Sequence, residues 1–141
     1  MIIDGFEKNI LEFLNLQIGF IIKDNEDLKT NITLWFRNKD DDNINLNLNH
    51  ITFWNTSNIS KLNYAFCDRI NFNELLLWDT RNVVTAQYMF YNCIKFNKPL
   101  ENRIMTNVKY INSMFSFCRN FNQPLNNWDV QNVKSTNWMF H

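Results

Sequence analysis

Apolar residues return every three to four positions through Val83, Ala86, Met89, Phe90, Cys93 and Phe96, and again through Val108, Ile111, Met114, Phe115, Cys118 and Phe121. That period marks one face of an α-helix. Between these runs the spacing changes. Leu125-x-x-Trp128-x-Val130 is matched by Leu100-x-x-Arg103-x-Met105, Leu75-x-x-Trp78-x-Thr80 and Ile51-x-x-Trp54-x-Thr56. Two periods alternating along one chain predict two kinds of local structure in alternation.

The alternation is a repeat. WNTSNISKLNYAFCDRINFNELLL from Trp54, WDTRNVVTAQYMFYNCIKFNKPLEN from Trp78, RIMTNVKYINSMFSFCRNFNQPLNN from Arg103 and WDVQNVKSTNWMFH from Trp128 share one template at a nearly constant interval. The short segment has the L-x-x-L-x-L spacing of a leucine-rich-repeat strand with Trp in its middle slot. Each unit then reads as a strand, a turn and a helix. The predicted fold is α/β: a short leucine-rich-repeat-like solenoid with parallel strands on one side, helices on the other and a helical N-terminal cap. Residues 54–141 form the repeat array, three full units and a truncated fourth, and residues 1–53 a non-repeating cap and entry segment. In that segment Asp4-x-x-Glu7 resembles a capping box opening a helix to about Leu16. Asp24 to Asp27 precede a second helix with Leu28, Ile32, Trp35 and Phe36 on one face. Lys39 to Leu48, with its Asp run, reads as a solvated loop.

Asparagine is the commonest residue, at 26 of 141. Asn58, Asn82, Asn107 and Asn132 stand just before each helical run, where an N-cap side chain would accept from free amides. Asn73, Asn97 and Asn122 follow a Phe where the run ends, and an amide at a fixed turn position can bond the adjacent coil. The bias toward Asn, Ile, Phe and Lys points to an AT-rich genome.

Fourteen basic and fourteen acidic residues cancel, so the positive field that nucleic acid or anionic lipid requires is lacking. The segment from Met1 to Ile22 has no basic leader and no run apolar enough to span a membrane, which points to an intracellular protein. Cys67, Cys93 and Cys118 lack CxxC pairing and read as reduced core thiols. A Cys93–Cys118 disulfide is disfavoured because packed helices stand about 8–10 Å apart.

The frame N-V-x-x-x-x-x-M-F-x-x-C-x-x-F-N, together with FNQPLNNWDVQNV, resembles the BspA-like leucine-rich-repeat surface proteins. Leu28 to Trp35, a variable loop, then His50, Ile51 and Trp54 resemble the entry segment of that family. The likeness covers residues 28–141 and implies a repeat protein rather than a particular ligand. This chain departs from the frame where Arg69 takes the Cys slot, with Cys67 two positions earlier, and where Arg103 replaces a Trp.

No catalytic constellation stands out. His50 and His141 have no Ser, Cys or carboxylate at a motif spacing. Asp41-x-Asn43-x-Asn45 begins like a calcium loop, but Leu46 and Thr52 stand where Gly and Glu are required. Two glycines cannot build a phosphate loop. No enzyme activity, cofactor or metal is therefore expected. The expected function is protein–protein interaction, through residues that alternate outward from the strands: Phe53 and Asn55, Leu77 and Asp79, Asn102 and Ile104, Asn127 and Asp129. Phe53 and Leu77 either meet a partner or lie under the entry segment. Trp138, Met139 and Phe140, in a unit lacking its second half, suggest end-to-end self-association. The alternative is a surface-displayed structural or adhesive protein whose leader is absent from this chain.

Overall fold

A computed structural model describes residues 20–38, 50–100 and 105–141. The Asp4–Glu7 box, the loop from Lys39 to Leu48, and Arg103 lie outside the described residues.

One predicted helix forms as expected: α1, Asn25–Asn38. Asp24 caps it, its Oδ1 accepting from the N–H groups of Glu26 (2.9 Å) and Asp27 (2.8 Å), and Asp27 reaches back to the Lys23 N–H (2.9 Å). This reciprocal pairing satisfies donors that an open helix end leaves without acceptors. Leu28, Ile32 and Trp35 are buried, and Phe36 packs against Phe72 (5.9 Å) and Phe66 (6.4 Å). Among the described residues no helix is long and apolar enough to cross a membrane.

The rest of the predicted fold class is overturned. Among the described residues α1 is the only α-helix, and a single 3₁₀ turn, Ile51–Phe53, is the only other helical element. No strand and no sheet form among them. Neighbouring units meet in isolated parallel bridges, Lys61 to Thr85, Thr85 to Tyr110 and Tyr110 to Ser135, with Ile21 to Asn55 before them. The protein is therefore not a solenoid of parallel strands backed by helices. Among the described residues the repeats form a stack of coils made almost wholly of turns.

The predicted repeat helices are ribbons of overlapping turns. In coil 2 (residues 78–102) the N–H groups of Met89, Tyr91 and Cys93 bond the carbonyls three residues back, at 3.3, 3.2 and 2.9 Å. The alternate N–H groups, of Ala86, Tyr88, Phe90 and Asn92, leave the coil and reach Tyr110, Asn112, Met114 and Ser116 in coil 3, at 2.8–3.0 Å. Coil 1 (54–77) pairs with coil 2 in the same way, as does coil 3 (103–127) with coil 4 (128–141). A helix would commit every N–H to a carbonyl four residues back and leave nothing for the neighbour. The ribbon also needs left-handed backbone: φ is positive at Tyr64, Asp68, Tyr88, Asn92, Ser113, Phe117 and Trp138. A right-handed helix forbids that conformation, and a bulky side chain adopts it only when neighbouring contacts hold it there.

Turns closed three residues apart carry nearly the same apolar period as a helix, which is why the pattern misleads. The inward residues are nonetheless those the pattern names: Val83, Ala86, Met89, Phe90, Cys93 and Phe96 are all buried. Their rings form columns along the stack. Phe66, Phe90, Phe115 and Phe140 succeed one another at 5.6 Å, within 9° of parallel. Phe72, Phe96 and Phe121 form a second column at 5.7 and 5.8 Å, and the two columns touch at 4.0–4.2 Å within each coil.

The predicted strands are arms bent by turns. Trp128 N–H bonds the Leu125 carbonyl (3.0 Å) and Val133 N–H the Val130 carbonyl (3.0 Å), so these donors stay inside the arm. Trp indoles add links between coils, Trp78 Nε1 to the Ile51 carbonyl (2.7 Å) and Trp128 Nε1 to the Leu100 carbonyl (3.0 Å), beside one backbone bond from the Leu77 N–H to the Thr52 carbonyl (3.0 Å). Trp54, Trp78 and Trp128 are buried as expected, whereas Leu75 and Val130, expected inward, are substantially exposed.

Asparagine amides do bridge coils, though not as caps. Asn82, Asn107 and Asn132 donate Nδ2 to the carbonyls of Ser57 (2.7 Å), Arg81 (2.6 Å) and Thr106 (2.9 Å). Asn73 and Asn97 accept through Oδ1 from the next coil's Asn97 and Asn122 N–H groups, both at 2.9 Å.

Replacing Phe90 by Ala should destabilise the protein by about 3–5 kcal/mol, because the ring sits between two others in its column and its cavity cannot collapse. Asn107→Ala should cost about 1 kcal/mol, the net value of one solvent-accessible hydrogen bond. Chemical denaturation of both variants tests the ranking, and equal losses would contradict it.

Candidate functional site

The residues expected to face a partner lie on the arm, and local chemistry has already engaged their polar members. Asn55 Oδ1 accepts from the Ser57 N–H (3.1 Å) and hydroxyl (2.8 Å). Asp79 Oδ1 accepts from the Arg81 N–H (3.1 Å), and its carboxylate takes the Arg81 guanidinium at 2.6 Å. Asp129 Oδ1 accepts from the Gln131 N–H (3.1 Å). Each is an Asx turn, in which a short polar side chain folds back on the backbone two residues on.

The apolar members are differently placed. Phe53 is half-buried, with the His50 ring 6.4 Å away. Leu77 is 42% exposed, and Val130, expected to point inward and not toward a partner, is 53% exposed. Asn127 is exposed. Asn102 and Ile104 lie outside the described residues. At the far end of the stack Trp138 and Phe140 are exposed, at 68% and 63%, while Met139 packs partly against the core.

His50 has a structural task. Its Nδ1 meets the Thr52 N–H (3.3 Å) and hydroxyl (3.0 Å), capping the 3₁₀ turn, and its ring stands edge-on to Trp35 at 5.8 Å. Nδ1 accepts from the Thr52 N–H, and Nε2 stands 3.9 Å from a Glu74 carboxylate oxygen. Among the described residues no three His, Cys, Asp or Glu side chains gather as metal ligands would. The Asp41 to Asn45 segment lies outside them.

All three cysteines are free thiols. The coil step is shorter than the helix spacing expected from sequence, since ring columns repeat at 4.9–5.8 Å. What occupies the thiols is hydrogen bonding: Cys93 Sγ donates to the Phe66 carbonyl (2.9 Å) and Cys118 Sγ to the Phe90 carbonyl (2.7 Å), each in the preceding coil. Burial pushes the Cys118 thiol up to about 11 and Cys93 higher still; Cys67, raised by burial and then by its bond to Asp68, also reaches about 11.

One aromatic position escapes the sequence pattern. Tyr64, Tyr88, Ser113 and Trp138 recur at the coil interval, and Tyr64 and Tyr88 stack at 4.9 Å, 4° from parallel. Its signal lies in the spacing, hidden because these residues fall on the polar face of the predicted helix.

Coils of nearly constant length, stacked in register and linked by an alternating ladder, define a repeat-built chain. It belongs to the family described as "Mycoplasma protein of unknown function, DUF285", whose model matches residues 22–141. Comparison with the curated proteins finds no match, and comparison with solved structures finds none either.

A thiol whose native pKa lies above its unfolded one stabilises the fold fully below the unfolded value, near 9, and stops doing so as pH rises through the native one. The stability of the native chain should therefore fall between about pH 9 and pH 11 more steeply than that of a Cys93→Ser, Cys118→Ser variant, whose hydroxyls keep their protons. Denaturant midpoints for both chains across that range check this, and parallel curves would refute it.

Proposed function

We propose that this chain is a non-catalytic repeat module that binds another protein through its arms. The observation that carries this reading is the division of labour on the arm. Asn55, Asp79 and Asp129 are tied into their own turns, while Leu77 and Val130 stand in water. Polar groups satisfied internally need no partner, whereas exposed apolar side chains gain from one, about 1.5–3 kcal/mol each when fully buried.

The BspA-like likeness of the frame MFxxCxxFN belongs to this proposal, and the repeated coils of this chain support it. It also supports a second reading, a structural or adhesive surface protein. The two differ in what holds the chain in place, a specific partner or an envelope.

A tagged chain should retain a partner that a Leu77→Asp, Val130→Asp variant loses by at least tenfold, a change that needs only about 1.4 kcal/mol from the two side chains together. Circular dichroism must show the variant folded. Identical retention by both proteins would remove the arm from consideration.

A further inference from the structure

Every interface between successive coils satisfies four carbonyls in a row. Thr85, Gln87, Met89 and Tyr91 of coil 2 accept from Leu62, Tyr64, Phe66 and Asp68 of coil 1 at 2.8–3.0 Å. The equivalent carbonyls of coil 1 belong to Lys61, Asn63, Ala65 and Cys67, and among the described residues no donor meets them. These same four residues line a groove of about 490 Å³ between coil 1 and α1, a volume within the usual range for ligand sites.

α1 explains why the edge is open. It covers the apolar side of coil 1 with Leu28, Ile32 and Trp35, but its N–H groups from Glu26 onward are already engaged. Interior helix donors bond their own carbonyls, and those at the start are taken by Asp24, through Oδ1 to Glu26 and Asp27 and through its carbonyl to Leu28 (3.0 Å). Asn25 imitates a preceding coil at one point: its Oδ1 accepts from the N–H groups of Ser60 and Lys61, at 3.2 and 3.1 Å, where later coils use the carbonyls of Ser60, Val84 and Lys109. That supplies an acceptor. The four carbonyls need donors.

The charge of the groove is one-sided. Among the described residues its one lining carboxylate, Glu26, holds Lys29 at 2.8 Å. Lys61 and Arg69 form no ion pair with a carboxylate among the described residues, and Arg69 is fixed in place over the Phe36 ring, 4.4 Å from its centroid. Tyr64, 58% exposed and braced from behind by Tyr88, adds an aromatic wall.

We propose that this groove seats an acidic peptide segment of a partner protein, which extends the ladder by donating alternate backbone N–H groups to Lys61, Asn63, Ala65 and Cys67 and sets its carboxylates against Lys61 and Arg69. Backbone pairing along an open edge supplies affinity independent of sequence, and the two cations select for acidic segments. A nucleic acid or other polyanion would satisfy the cations and leave the carbonyls without donors. The groove shares no residue with the exposed arm, so either site can fail without the other.

The probe is a fluorescent library of acetylated octapeptides with Asp at alternate positions and the remaining positions randomised, read by anisotropy against the full chain. Saturable binding is expected. It should weaken at least tenfold when the library is N-methylated at alternate residues, which removes donors and keeps charge, and at least tenfold in a Lys61→Glu, Arg69→Glu variant. If that variant is not folded, Lys61→Gln serves in its place and should weaken binding severalfold. Leu77→Asp, Val130→Asp should bind the library unchanged. Absence of saturable binding, equal binding of the N-methylated library, or full displacement by a single-stranded oligothymidylate would each overturn the proposal.

Discussion

The structure depends on a division of backbone donors by parity. Along the ribbons of coils 1 to 3 one N–H closes a turn within its coil and the next crosses to the following coil. Buried amides and carbonyls must be paired, and here the requirement is met locally and between coils in equal measure. Neither half suffices alone: turns without the crossing bonds would not stack, and crossing bonds without turns would demand a strand. The alternation is accompanied by left-handed residues four apart within a coil, as at Tyr64 and Asp68 or Tyr88 and Asn92, and a stacked ring pair braces Tyr64 and Tyr88 there.

Much of this is written in the chain, in a form that names the wrong element. The repeat interval, the buried apolar set and α1 all follow from spacing, because burial imposes periodicity whatever the backbone does. The backbone itself is illegible. Overlapping turns and α-helices both return a side chain to the core about every third residue, and the feature that separates them, positive φ at Tyr64, Tyr88 or Trp138, leaves no mark in a Tyr or a Trp. Had those positions been Gly or Asn, as at Asn92, the turn would have announced itself. The arms mislead for a related reason. Trp78 and Trp128 fill strand-like slots but link coils through indole nitrogens, and the backbone adds only isolated bonds such as Leu77 N–H to the Thr52 carbonyl, so the side-chain pattern of a strand exists without a continuous backbone ladder.

The candidate surface is legible by position and not by role. Asn55, Asp79 and Asp129 sit where alternation places them, yet each reaches its own backbone before it can reach a partner. Whether a polar residue serves its turn or a neighbour depends on the residue two positions on, which no count of exposed polar side chains weighs. The groove beside α1 is beyond sequence for another reason: an open row of carbonyls is a property of where a stack meets a different element, and carbonyls have no letter in the alphabet.

Parity also limits how such a chain can change length. Coil 1 is one residue shorter than its successors, and the difference is absorbed where the Pro of the later units has no counterpart, while the ladder bonds of the ribbon persist on both sides. A single residue inserted inside the ribbon would exchange inward-turning and outward-crossing donors from that point on, breaking every later bond to the neighbour at once. Gain or loss of a whole coil exchanges nothing. Length is thus quantised in the ribbon and continuous in the arm, so a lineage carrying this architecture is free to vary coil number and arm length while its ribbons stay fixed.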